Sequence, residues 1–366
     1  MLSLGKLFMR YASSALSITT LLTLILPSCQ VFNHVTSIRN IKAAFNSERG
    51  LHILDPMLCF QGLDVTQPVD KFNGYRGLHS MAAPLPDAGY SSRPEDFFEE
   101  VAVWSLQVYG DLTPLMLELK GEISANMSSW VPDWSAKPAV QINYWRWRIL
   151  FYRAYTCSTG IDRPFEYRAP GRLLIHGFEV ETVESVAPIT FELSSVGCAA
   201  DHVDVMKKWF SFATGRDCPE NGSGVFDDDI FCETILGGLV RIDRKPFVRK
   251  TRPADFTQWR YDMAEFERST AAGLFHTPLI ESHVTAVVGR VMFKTNTGSI
   301  AIGPSSTEPG DVIWVWNHGR SPFLTRPVLA PQSSEQQQIL IGHCYHHALN
   351  NGRNEVTYQQ SSCVLV

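Results

Sequence analysis

Val287 to Val328 reads VVGRVMFKTNTGSIAIGPSSTEPGDVIWVWNHGRSPFLTRPV, and the punctuation of its apolar runs decides the fold. Val287, Val291 and Phe293 lead into an Asn-Thr-Gly turn at Asn296 to Gly298, and Ser299 to Ile302 forms the next strand. A loop follows, marked by Gly303, Pro304, Pro309 and Gly310. Asp311 to Trp316 is another strand. Asn317 to Arg320, with Gly319 inside it, then turns the chain past Pro322 into Phe323 and Leu324. Apolar strands this close in sequence pair with one another and curl into a small sheet or barrel. The stretch reads as scaffold and not as chemistry.

The rest of the chain is ordinary globular sequence. Its 366 residues can bury a large core, and 45% of them are hydrophobic. A formal net charge of -5 leaves no nucleic-acid or anionic-membrane footprint. The eight Cys, at 29, 59, 157, 198, 218, 232, 344 and 363, include no C-x-x-C pair and read as free thiols in a reducing compartment. The fold class expected is α+β, in four regions: a helical segment (1–62), a helical and loop region (63–170), a mixed strand-helix region (171–283) and a small β-rich unit (284–366).

Upstream of the opening stretch, Ser92 and Glu95 form an S-x-x-E capping box, and Phe97, Val101, Trp104 and Val108 line one helical face up to Gly110. Ser129 to Trp134 reads SWVPDW. Pro132 forbids a regular helix there, so Trp130 and Trp134 anchor a loop to the core or, alternatively, form a ligand platform. Tyr144 to Tyr155 interleaves aromatic residues with Arg, a pattern that suits nucleic-acid stacking. With no basic flanks it reads instead as a partly buried segment with snorkelling Arg side chains. Arg172 to Ile175 and Phe178 to Val183 read as two strands around a turn at Gly177. Asp227 to Asp229 cap a helix running to Leu239, Arg241 to Arg252 is a surface loop, and Phe256 to Phe266 is helical.

Two termini complete the reading. Ile339 to Ala348 is a strand whose alternation puts His343, Tyr345 and His347 on one face, with Cys344 and His346 on the other. Cys363 to Val366 fits the C-a-a-X form only loosely and is better taken as a closing strand. At the other end Lys6 and Arg10 precede an apolar run, residues 12–26, too short and Ser/Thr-rich for a typical span. A buried helix, a membrane helix and a signal peptide all remain open there.

Several of these stretches resemble the fungal heterokaryon-incompatibility (HET-domain) proteins. Asp70-Lys71-Phe72-Asn73-Gly74-Tyr75-Arg76-Gly77-Leu78 is similar to the family's D-K-x-Y-A-L-L-G-L. Ser129 to Trp134, with Trp130, Pro132, Asp133 and Trp134, matches most of its L-P-S-W-V-P-D-W. Gly289 to Pro327 follows its glycine, proline and arginine signature through Gly303, Pro304, Pro309, Gly310, Asp311, Gly319, Arg320, Pro322 and Phe323. Gly342, Cys344 and His347 match its closing G-x-C-Y-V-H-G.

The resemblance implies a cytoplasmic protein of non-self recognition and programmed cell death, working through a protein partner. The family's N-terminal HET domain, proposed to resemble nucleotide-cleaving TIR domains, is expected to be largely missing. A non-enzymatic role is therefore expected, with no cofactor, no metal and no nucleic acid; a membrane contact through residues 12–26 is the alternative. As an enzyme, the chain would offer only Asp133, Asp311, His343, Cys344 and His347 for test. No spacing links them into a triad, and no G-x-S-x-G, H-E-x-x-H or phosphate loop is present.

Overall fold

The computed structural model describes residues 38, 41–42, 54–78, 84–86, 93–121, 123–138, 140, 142–155, 157–158, 165–168, 170–192, 199–216, 226–242, 248–268, 277–328, 336–350 and 359–366. The apolar run 12–26, most of the helical segment expected over 1–62, Ser92, Cys29, Cys198 and Cys218 lie outside them. The chain divides into two compact units, Met1–Phe60 with Gly74–Pro84, and Gln61–Asn73 with Leu85–Val366. In the first, helix α1 (Leu54–Phe60) is followed after the break by a single tight turn at Arg76–Leu78, and Phe60 stacks on Tyr75.

The second unit is α+β, and its strands sort around one long element. Strands β1 (Phe165–Arg168) and β2 (Arg172–Val186) are joined by β5 (Arg290–Thr295), β6 (Ile300–Pro304), β7 (Val312–Trp316), β8 (Phe323–Pro327), β9 (Gln337–His343), β10 (Tyr345–His346) and β11 (Gln360–Leu365). β2, β11, β9, β8 and β7 pair in turn, and β7 pairs back onto β2, so five strands close a barrel. The β9–β11 pair is parallel and the others antiparallel. β5, β6 and β10 extend from the far half of β2 as an open sheet. The hairpins read from Val287–Val328 are present, but β6 and β7 do not pair with each other. A strand from more than a hundred residues upstream lies between the two hairpins.

β2 is therefore one strand and not two. Gly177 is no turn: it faces Trp316 in the ladder, and a Cβ there would lie 2.5 Å from the Val315 carbonyl and 2.6 Å from the Trp316 Cα. The glycine lets two backbones approach where the barrel closes. Irregularities between Glu179 and Glu181 and between Val183 and Ser185 then bend the strand so that one element serves both sheets.

The helices of this unit are α2 (Asp70–Asn73), α3 (Pro94–Tyr109), α4 (Ile142–Tyr152), α5 (Ala199–Thr214), α6 (Asp229–Ile235), α7 (Pro253–Arg268), α8 (Pro278–Val287) and α9 (His347–Asn350). α3 begins with Pro94 as its first helical residue, so Arg93 and not Ser92 is the N-cap. Glu95 and Asp96 in the first turn favour the helix dipole in place of the expected box. Asp228 caps α6 by accepting from Phe231 N, but the helix stops at Ile235, and Leu239 belongs to strand β3 (Leu239–Arg241). β3 pairs with β4 (Val248–Lys250), so the expected Arg241–Arg252 loop holds a hairpin.

α8 escaped the sequence reading for a physical reason. Leu279, Ile280, Val284, Ala286 and Val287 are buried, but so are Ser282, His283 and Thr285, so polarity does not mark which side of this ten-residue helix faces the core. Its start is marked locally, by Thr277 accepting from Ile280 N at 3.2 Å and by Pro278 at the first position. β9 ends at His343, so the expected strand to Ala348 is broken and His347 opens a helical turn. Cys363 is buried inside β11, as a closing strand requires. Among the described residues no helix is long and apolar enough to cross a membrane. Gly177→Ala should cost about 1–3 kcal/mol by overpacking a backbone crossing that cannot yield, read as a lowered urea midpoint with unchanged slope.

Candidate functional site

The residue that gathers the second unit is Glu118, in the extended segment after the short 3-10 helix Thr113–Met116. Its φ of 50° is left-handed, a conformation that costs a non-glycine residue about 1–3 kcal/mol. Three donors converge on its Oε1: Arg290 Nη2 at 3.0 Å, His343 Nδ1 at 2.8 Å and the His343 backbone N at 3.1 Å. Arg290 is fully buried at the start of β5, and also donates through Nη1 to the His343 carbonyl. Its Nη2 lies 2.8 Å from His343 Nε2.

These contacts fix the protonation states. An arginine can only donate, so His343 Nε2 accepts, and its Nδ1–H is the proton given to Glu118. Burial, reinforced by Arg290, pushes His343 down to about 4, which keeps the ring neutral. Burial alone would raise Glu118, but Arg290 and His343 outweigh it and hold the carboxyl at about 2. Gly342 makes room for this: its φ is 150°, and a Cβ would lie 2.5 Å from Glu118 Oε1 and 2.8 Å from Pro304.

A second buried arginine stands behind the first. Arg148 of α4 donates from Nε to the Thr285 carbonyl at 3.0 Å and from Nη2 to the Val288 carbonyl, closing the C-terminal end of α8. It is buried, so the snorkelling expected of this segment fails at Arg148. Burial, with Arg290 nearby, lowers it to about 9, still cationic at neutral pH. Tyr152 packs edge-on against His343 with ring centres 4.7 Å apart, and its buried hydroxyl has no hydrogen-bond partner.

The SWVPDW loop lies alongside. Trp130 and Trp134 are buried, and Trp130 Nε1 donates to the Gly171 carbonyl at 3.0 Å. They are anchors and not an exposed platform. Ser129 rivets the parallel seam of the barrel: its N and Oγ donate to the Val366 carbonyl at 2.9 and 2.5 Å, and its Oγ accepts from Leu340 N at 2.8 Å. Asp133 Oδ1 accepts from Ser135 N at 3.0 Å and Ser135 Oγ at 2.5 Å. Between this loop, Glu118 and β9 lies a crevice of about 10 Å³, lined by Pro132, Leu340 and Gly342 among others, room for about one water molecule.

The remaining sequence candidates are dispersed. Asp311 accepts from Glu308 N at 2.8 Å and from Arg326 Nε at 2.7 Å, the turn role expected of it. Gly310 N donates to the Val183 carbonyl, and Thr307 N to that of Pro304. The Gly303–Pro309 loop thus folds back on itself. Arg320 pairs with Asp111 at 3.0 Å, and Cys157 N donates to the Gly319 carbonyl. Cys344 N donates to the Pro322 carbonyl, and Phe323 stacks on Trp316 with ring centres 4.5 Å apart.

The three adjacent histidine positions point to three different carboxylates. His343 goes to Glu118, His346 to Glu181 at 3.1 Å and His347 to Glu233 at 3.1 Å. Cys344 is buried, and burial raises its thiol far above the range of a reactive thiolate. Cys59, Cys157, Cys232, Cys344 and Cys363 are free thiols. Among the described residues no group of three or more His, Cys, Asp or Glu is placed to hold a metal ion.

Sequence reasoning singled out His343 but missed Glu118 and Arg290. Arg290 does lie within the Gly289–Pro327 signature; Glu118 carries no local signal at all. Comparisons with protein-family models, with curated proteins and with solved structures find no match.

Glu118→Gln should cost about 3–5 kcal/mol at pH 7, because Arg290 would keep a buried, uncompensated charge. The depressed carboxyl contributes stability that is present above its unfolded value of about 4.3 and lost as pH falls toward 2. The gap between wild type and variant in urea midpoint should therefore be full at pH 6 and narrow progressively below pH 4.

Proposed function

We propose that this chain is a HET-like protein of fungal non-self recognition, acting in the cytoplasm through contact with a protein partner and not through chemistry of its own. The observation that carries the reading is where the motif residues go. Each side chain that chemistry would need is engaged in holding the fold, and each with different neighbours: Asp133 with Ser135, Asp311 with Arg326, His343 with Glu118 and Arg290, His347 with Glu233. Trp130, Arg290 and Gly342–His343, from three separate stretches of the resemblance, meet around the Glu118 crevice or directly beside it. A motif that specifies a barrel and its seam leaves recognition to the surface it supports.

Expression of the chain in a filamentous fungus should provoke an incompatibility reaction, growth arrest or death of fused cells, in a strain-dependent manner. The purified protein incubated with NAD should leave the dinucleotide intact over hours. A protein that neither binds a partner nor changes the fate of fused cells would overturn the proposal. NAD turnover that disappears in His343→Gln or Asp133→Asn would replace it with an enzymatic one.

A further inference from the structure

A second buried cluster lies away from Glu118, among the helices. His202 of α5 and His283 of α8 face each other with Nε2 atoms 2.9 Å apart, and both are buried. His283 Nδ1 lies 3.3 Å from the Ile235 carbonyl at the end of α6, and a carbonyl only accepts. That contact forces the proton onto His283 Nδ1, which makes its Nε2 the acceptor of the pair. His202 Nε2–H is then the donor, and its Nδ1 lone pair is left buried with no partner.

Among the described residues the rings that pack on the pair are aromatic and carry no charge. Phe191 sits 4.8 Å from the His202 ring centre and Phe266 of α7 at 5.1 Å; Trp259 of α7 lies 5.5 Å from that of His283. Charged groups of α5 and α8 are engaged elsewhere, Lys208 with Asp204, Lys207 with Glu267 and Glu281 with Arg241, and α6 presents a neutral carbonyl to the pair. Of the two buried carboxylates of α7, Asp262 is engaged by Gln258 at 2.7 Å and Thr277 at 2.6 Å, and Asp255 by Arg249 at 2.6 and 2.7 Å.

We infer that the His202–His283 pair is an acid-sensitive latch, which holds α5, α6, α7 and α8 together at neutral pH and releases them from one another when either ring takes a proton. A proton on His283 Nε2 removes the acceptor of the pair. One on His202 Nδ1 creates a buried N–H with no acceptor and a cation with no counter-charge. His343 differs, because it is a single ring whose proton would enter at Nε2, against Arg290, with the Glu118 carboxylate at Nδ1 as counter-charge. The helical layer therefore opens before the barrel.

Burial pushes His202 down to about 4 and His283 well below its ordinary value, so the sign is fixed. The unfolded or opened chain takes up protons that the closed one refuses. Stability is full above about pH 6.5, and each ring makes the closing constant fall about tenfold per pH unit below that.

Hydrogen exchange followed by mass spectrometry on the full chain at pH 7.5 and pH 5, corrected for intrinsic rates, tests this without any variant. Peptides from Ala199–Thr214 and Pro278–Val287 should lose protection at least tenfold at pH 5, while Val312–Trp316 keeps its own. In His202→Gln the urea midpoint should lose about one proton's worth of pH dependence. His343→Gln should leave the acid opening of the helices in place. Helices and barrel losing protection together, or helices equally protected at both pH values, would overturn the latch. So would a His202→Gln variant whose helices still open with the wild-type pH profile.

Discussion

The larger unit depends on one carboxylate held in a backbone conformation its residue disfavours. Glu118 sits at φ 50°, and from there its Oε1 reaches Arg290, the His343 ring and the His343 amide together. The local cost, about 1–3 kcal/mol, is set against an ion pair and two further hydrogen bonds in a largely dehydrated setting. Remove the carboxylate and a fully buried guanidinium has no counter-charge. Such clusters are poor sources of net stability but strong sources of specificity, since any other register leaves a charge unmatched. Here the register at issue is that of β9 and β5, one from the closed barrel and one from the open sheet.

The same economy of roles recurs around the barrel. Closing a ring of five strands brings backbones together where β2 crosses β7, and Gly177 is the residue that permits it. The parallel pairing of β9 with β11 covers only two residue pairs, and Ser129 supplies the hydrogen bonds that the short ladder leaves out. Trp130 and Trp134 then keep Ser129 in place by burying their rings on either side of Pro132. A proline-containing loop suits that task because it has few alternative conformations to lose on folding.

How much of this could be read from sequence follows from the range of each interaction. The hairpins of Val287–Val328 were legible because turn residues and apolar alternation are local signals, and α7 because it keeps a polar face. β2 was misread as two strands because glycine in a strand has the same local appearance whether it turns the chain or admits a neighbour. α8 was missed because it is short and buries Ser282, His283 and Thr285 along with its apolar residues. The site was legible only in part. His343 stood out as a chemistry-bearing type, yet its partners lie 225 residues away at Glu118 and 53 away at Arg290, and no pattern over ten or twenty residues encodes such a meeting.

The two buried histidine sites show why composition alone does not announce function. His343 and His202 are both pushed down to about 4, but through different physics. His343 is neutral within a charged cluster, its two nitrogens committed to Glu118 and Arg290, so its geometry is specified from both sides. His202 is neutral because it is surrounded by aromatic rings, and one of its nitrogens is committed to nothing. The first arrangement fixes a structure; the second leaves a site whose only unmet demand is for a proton. A buried polar atom without a partner is costly enough that folds tend to eliminate it, and the His202 lone pair, kept among four helices, is where the proposed latch takes up its proton.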